Sequence, residues 1–221
     1  MSPFIEEIKK QDIIDQLTWD DSVNANEVHV TVQDKTVQLK GTVPNYTAKM
    51  AAERDAHQVA GVSRVENFLK VEFPPSITLP SDKEINRSIE NMLLWNNKIT
   101  STGIRVETHD GVVVLSGVAQ SYWEKYLAGD IAMSANGVIE VENNLSVKPQ
   151  KSIIDMDIEN DIRKTYQRSA LIDEEKIQVE VKDGFVHLTG SVSNYLIKKQ
   201  AHDIAMYTAG VMDVIDEITI A

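Results

Sequence analysis

The chain contains no cysteine, which excludes a disulfide framework, a thiol nucleophile and any thiolate metal site. Long apolar runs are missing too. The longest purely aliphatic stretch is Val112-Val113-Val114-Leu115, far short of a bilayer span. The first residues, MSPFIEEIKKQD, hold no apolar segment of the secretory kind. With Met1 as the native start the chain is expected in the cytoplasm; a trimmed start would make it periplasmic. Positive charge is scarce, with 22 Lys and Arg against 34 Asp and Glu, a net charge of −12. That balance repels phosphate polyanions, so nucleic acid is not an expected partner. It also disfavours an anionic membrane surface, except through a local basic patch. No G-x-S-x-G, P-loop or G-x-G-x-x-G occurs, so no nucleophile elbow or phosphate cradle is expected.

Repetition is what the chain does have. DGVVVLSG at 110–117 returns as DGFVHLTG at 183–190 and, altered, as DKTVQLKG at 34–41. With Gly41, Gly117 and Gly190 as anchors, a tyrosine follows five residues later: Tyr46, Tyr122 and Tyr195. Twenty residues after each anchor comes a Gly-Val pair at Gly61, Gly137 and Gly210. No gap is needed across this span, so the chain is read as a tandem repeat.

Periodicity dictates the elements. Val28/Val30/Val32, Ile104/Val106 and Ile177/Val179/Val181 alternate with polar residues, as half-buried strands do. Asp110-Gly111 and Asp183-Gly184 between such runs signal type I′ hairpins, which need positive φ. Repeat one has Asp34-Lys35 there; a left-handed lysine is strained by ~1–2 kcal/mol, so this turn is expected to be looser or less stable. Asn45, Ser121 and Asn194 stand as N-caps of a second helix. Its stripe Ala52/Ala56, Ala128/Ala132 and Ala201/Ala205 falls on one face. Gly61, Gly137 and Gly210 are expected at the C′ position that ends it. The anchor glycines are expected to serve backbone geometry, where a side chain would clash or φ is positive.

An amphipathic helix precedes each hairpin, with Ile13/Leu17, Ile85/Ile89/Leu93 and Ile158/Ile162/Tyr166 one turn apart. Ser81-x-x-Glu84 is a capping box at the start of the second of these. A closing strand runs through Val65/Leu69/Val71, Val141/Leu145/Val147 and Val214/Ile218/Ile220. The expected fold is therefore α+β: three tandem α-β-β-α-β repeats at 1–74, 81–149 and 153–221. Each is a three-stranded mixed sheet with two helices on one face, and the linkers are PPSITLPS (74–81) and KPQKS (148–152). A repeat of this size buries only ~60% of its unfolded surface, so the repeats are expected to dock on one another; further association into oligomers is open.

These residues resemble the BON domain, named after bacterial osmotic-stress and nodulation proteins. The likeness rests on the Val-x-Leu-x-Gly strand, the tyrosine-led helix and the later Gly-Val, and covers nearly the whole chain. Residues 17–62 are especially similar to cytoplasmic bacterial proteins with three such domains. The family's glycine maps onto Gly41, Gly117 and Gly190. The resemblance implies binding rather than catalysis, with phospholipid surfaces the usual target, and a periplasmic or outer-membrane association for many members. This chain departs in its acidic excess and in showing neither signal peptide nor lipobox.

Candidate chemistry is sparse. His29, His57, His109, His187 and His202 occupy five different places relative to their anchors, without the H-E-x-x-H spacing of a zinc site; they read as surface or rim residues. DMDIENDI (155–162) has Asn160 and Tyr166 where a calcium loop needs glycine and glutamate, so it reads as the acidic first turn of a helix. No metal, cofactor or catalytic residue is expected. Trp19 and Trp95 both lie 22 residues before their anchors, where repeat three has Arg168. They are candidates for a lipid or partner surface, although burial in the seams between repeats is the favoured expectation. Trp123 and Tyr126 form an aromatic helix face only in repeat two and read as a docking surface. The expected function is non-enzymatic binding of lipid headgroups or a partner protein through first-helix faces, in a stress-response or envelope-linked setting. The alternative is a small-ion or small-ligand sensor, potassium for example, with its site between repeats.

Overall fold

The computed structural model describes residues 3–149 and 153–221, with side chains from residue 6 onward. The first two residues of the expected first domain, and residues 150–152 of the expected second linker, lie outside the described residues. Repeat 1 comprises α1 (Pro3–Trp19), β1 (Val28–Gln33), β2 (Thr36–Val43), α2 (Tyr46–Gln58) and β3 (Arg64–Val71). Repeat 2 comprises α3 (Asp82–Trp95), β4 (Ile104–His109), β5 (Val112–Ala119), α4 (Tyr122–Met133) and β6 (Glu140–Val147). Repeat 3 comprises α5 (Asp155–Arg168), β7 (Ile177–Lys182), β8 (Phe185–Val192), α6 (Tyr195–Tyr207) and β9 (Asp213–Ile220). The α+β reading of three α-β-β-α-β units holds. A three-residue 3₁₀ turn before β1, β4 and β7 is an addition that no periodicity announces.

Each sheet is mixed. The hairpin strands pair antiparallel and the third strand adds parallel to the second, in the orders β1-β2-β3, β4-β5-β6 and β7-β8-β9. A parallel addition needs a crossover, which the second helix supplies. The alternating residues face inward, so each repeat encloses its own core: Ile13, Leu17, Leu39 and Leu69 in the first, Ile89, Leu93, Leu115 and Leu145 in the second, Ile162, Tyr166, Leu188 and Ile218 in the third. The alanine pairs of the second helices are fully buried, which lets these helices approach their sheets closely.

The turns are type I′-like in all three repeats. Asp110 and Gly111 have φ of 50° and 78°, Asp183 and Gly184 of 53° and 79°. Asp34 and Lys35 keep the same shape at 45° and 70°, so the lysine turn is not loosened and the strain is retained. An acidic residue in the first helix holds each turn from behind. Asp82 accepts from the amides of Asp110 and Gly111 at 3.0 and 3.1 Å, and Asp155 from those of Asp183 and Gly184 at 2.7 and 2.9 Å. Glu6 accepts from Asp34 at 3.4 Å. The acidic DMDIENDI segment thus begins with a residue that fastens a hairpin.

Gly117 faces the first residue of β4 across the hairpin, at φ 110°, and a Cβ there would lie 2.1 Å from the Gly103 carbonyl oxygen. Gly41 and Gly190 stand the same way against the Glu27 and Lys176 oxygens. All three lie inside β2, β5 and β8, two residues before each strand ends. Gly61, Gly137 and Gly210 depart from the C′ expectation. Their helices stop three or four residues earlier, and each glycine is the third residue of a separate turn, closed by Val62, Val138 and Val211 amides on the Val59, Ala135 and Thr208 carbonyls. Positive φ at that third position is the type II geometry.

The repeats dock head to tail. Helix α6 packs against both α2 and α4, and Thr47 of α2 donates to the Met133 carbonyl of α4 at 3.4 Å. The three second helices therefore meet in the middle, and repeat 3 closes onto repeat 1.

Candidate functional site

Each seam of the ring uses the tyrosine that opens a second helix. N-capping places it: Asn45, Ser121 and Asn194 accept from the Ala48, Glu124 and Ile197 amides at 2.7, 3.0 and 3.0 Å. The next residue then projects from the helix start out of its own repeat. Tyr46 meets the beginning of β6, with its hydroxyl near Glu140 and the Val141 amide. Tyr122 packs against the core of repeat 3, close to the Asp213 carboxylate and the Val214 amide. Burial, with Glu140 adding, pushes the Tyr46 hydroxyl up; burial, with Asp213 adding, pushes Tyr122 up to about 12. Both stay neutral donors.

Tyr195 makes the third seam differently. Its ring stacks on His57, centroids 4.3 Å apart and planes 12° from parallel. Burial lowers His57 to about 4, helped by the nearby Lys198 ammonium, so the ring is neutral. Its Nδ1 is buried with no hydrogen-bond partner among the described residues. Two residues earlier in α2, Asp55 is buried; desolvation first, then the neighbouring Asp20 carboxylate, raises it to about 6. Arg54 bridges the two carboxylates at 3.2 Å to Asp55 and 2.9 Å to Asp20, while the Ser22 hydroxyl and amide on Asp20 hold that partner low. The second Asp55 oxygen, Oδ2, is buried with no hydrogen-bond partner among the described residues.

Cavities open at these seams. A groove of about 650 Å³ separates repeats 1 and 3, walled by Val59, Val62, Leu196, Arg54 and Lys199 over the His57–Tyr195 stack. A second space of about 430 Å³ lies where α2, α4 and α6 converge, lined by Met50, Tyr126, Met133 and Tyr195 among others. Among the described residues, no group of three or more His, Asp or Glu side chains is placed to hold a metal ion. No described helix is long and apolar enough to cross a membrane.

The tryptophans overturn the seam expectation. Trp19 and Trp95 are 80% and 84% exposed. Each follows a buried leucine, Leu17 or Leu93, by two residues. Two residues turn a helix by about 200°, so these indoles face away from the core their own helix covers. The seams are built by second helices and strand ends, leaving the ends of α1 and α3 uncovered. Trp123 does dock. It lies 4.6 Å from Tyr207 of repeat 3 and 6.0 Å from Tyr126.

The histidines are less uniform than rim residues. His57 and His202 are partly covered, His202 standing edge-on to Tyr122 at 6.5 Å and 3.7 Å from Asp216. His187 pairs with Glu217 at 2.7 Å. The seam role of the tyrosines went unread, although their fixed place after each anchor was visible. So did the acidic residue 28 positions before each turn, at Glu6, Asp82 and Asp155.

The family model for the BON domain matches residues 6–72, 81–149 and 154–221. Osmotically-inducible protein Y of Escherichia coli K12 is 30% identical over 131 residues, 58% of this chain and 65% of that protein. The match thus spans just under two thirds of that relative's length. An uncharacterized protein of the gshII 5′ region of Anaplasma centrale is 30% identical over 129 residues, 57% of this chain and 85% of its own. The C-terminal domain of CdsD, from the type III secretion system of Chlamydia trachomatis, aligns over 96% of both chains at 16% identity and a TM-score of 0.28. At that level neither its fold nor its assembly transfers.

Proposed function

The chain belongs to the BON domain family, and we propose that it is a non-enzymatic binding protein of an osmotic-stress type whose exposed indoles engage a phospholipid headgroup region or a partner protein. One observation carries this reading: Trp19 and Trp95 occupy equivalent helix ends, both largely exposed. Leu94, 66% exposed, adds to the second tip. Tryptophan suits a boundary that is apolar at one end and wet at the other. With a net charge of −12, attraction to a membrane would come from the indoles rather than from charge.

Vesicle flotation tests it. Wild type is expected to float with phosphatidylcholine vesicles and to lose this when Trp19 and Trp95 are both replaced by alanine. Absence of flotation on zwitterionic and anionic vesicles at low salt removes the lipid version and leaves the protein partner.

A second reading has its own support. The cavities at the seams suit a small ion or small ligand held between repeats, including an ion held by backbone carbonyls. Selective binding to the folded state raises its stability, so thermal shifts across potassium, sodium and calcium test the ionic form.

A further inference from the structure

We infer that the groove between repeats 1 and 3 binds a small planar aromatic carboxylate. This rests on the small-ligand reading above and names the ligand class.

The ring contains an internal comparison. Between repeats 2 and 3, the indole of Trp123 lies in the seam against Tyr207, centroids 4.6 Å apart. Trp123 stands six residues after Gly117, and Tyr207 seventeen after Gly190. At the seam between repeats 3 and 1 those two positions are Leu196 and Gln58. Both line the groove, and Leu196 is 60% exposed. The seam that takes an indole in one place is thus unfilled in the other.

The groove suits a flat ring. Its volume of about 650 Å³ is in the range of small-molecule sites. Val59, Val62 and Leu196 give it apolar walls, and the His57–Tyr195 stack provides an aromatic surface. Rings pack favourably on such surfaces in offset or edge geometry.

The charge points to an anion. Arg54 and Lys199 are the groove's ionised lining residues, and His57 beside them is neutral. Their carboxylate partners Asp20, Asp55 and Asp203 do not line it. On a chain of net charge −12, this wall presents two cations to the groove while the carboxylates paired with them lie behind it. The groove between repeats 1 and 2 shows the contrast: Thr47 and Ser134 occupy the corresponding positions, and its charged lining residue is Asp21.

The test is calorimetric titration of the full chain with indole-3-acetate, benzoate and neutral indole, alongside thermal shifts with the same compounds and with potassium. Indole-3-acetate is expected to bind and to raise the melting temperature. Leu196→Trp is expected to place an indole in the groove, raise the ligand-free melting temperature and abolish the response; Leu196→Phe serves if the larger ring disturbs folding. Lys199→Gln is expected to weaken indole-3-acetate by roughly tenfold and leave neutral indole unchanged. Binding that survives Leu196→Trp and Leu196→Phe overturns the location, and equal affinity for indole and indole-3-acetate overturns the carboxylate. A response to potassium with none to the aromatic acids overturns the ligand class while the small-ligand reading stands. Silence to every compound overturns both.

Discussion

Tyr195, at the start of α6, lies flat on His57, near the end of α2, with ring centroids 4.3 Å apart. The two residues are 138 positions apart, and their contact joins the last repeat to the first. The corresponding tyrosines, Tyr46 and Tyr122, bring their hydroxyls to the start of the closing strand of the next repeat instead. The seam between repeats 3 and 1 thus combines an aromatic stack with a hydrogen bond from the Ser63 hydroxyl to the Ile220 carbonyl at 3.2 Å.

The stack makes closure sensitive to acid. His57 titrates near 6.5 when unfolded and about 4 when folded, so between those values the unfolded chain binds more protons. Stability from this residue is full above pH 6.5 and is lost as the pH falls towards 4. His57→Phe keeps a ring in place and removes the titration. Thermal melts from pH 7.5 to 5 are expected to show the variant gaining on wild type as the pH drops; parallel curves would refute this.

Asp55 works in the opposite direction over an overlapping range. Its folded value of about 6 lies above the unfolded 3.8, so the folded chain binds more protons in that window. Its ionisation costs stability as the pH rises through 6. Asp55→Asn is expected to stabilise relative to wild type at pH 7.5 and to keep only about half of that advantage at pH 5. Denaturant midpoints at the two pH values check the sign.

Lys35 holds φ at 70° in a turn where the other two repeats have glycine. Lys35→Gly is expected to stabilise by about 1 kcal/mol, read as a higher urea midpoint with unchanged slope. Gly117→Ala is expected to do the reverse by about 3 kcal/mol or more, since its Cβ would meet the Gly103 oxygen at 2.1 Å.

The acidic residues behind the turns differ in grip. Asp82 accepts two amides at 3.0 and 3.1 Å, whereas Glu6 accepts one at 3.4 Å. Asp82→Ala is expected to cost ~1–3 kcal/mol, and Glu6→Ala measurably less. Equal losses in chemical denaturation would contradict the difference in geometry.

Much of each repeat was legible because its signals are local. Asp110-Gly111, the Ser121 cap and the Ala128/Ala132 stripe each depend on residues a few positions apart, and the structure uses them as read. The C′ placement of Gly61 missed by a turn, because helix ends and the β-turns that follow share the same glycine signal. Trp19 was misjudged for a different reason. Its place shared with Trp95, where the last repeat has Arg168, pointed to a covered seam, while its phase, two residues past Leu17, put it on the far face.

Determined by the sequence alone are the repeat, its elements and the inward face of each strand and helix, since side-chain periods of 2 and 3.6 residues are written along the chain. Only tertiary structure decided that the repeats close into a ring, that His57 meets Tyr195, and that one seam holds an indole while another stays open. Those outcomes depend on how surfaces of separate repeats complement one another across more than a hundred residues, and packing between distant surfaces leaves no period to read.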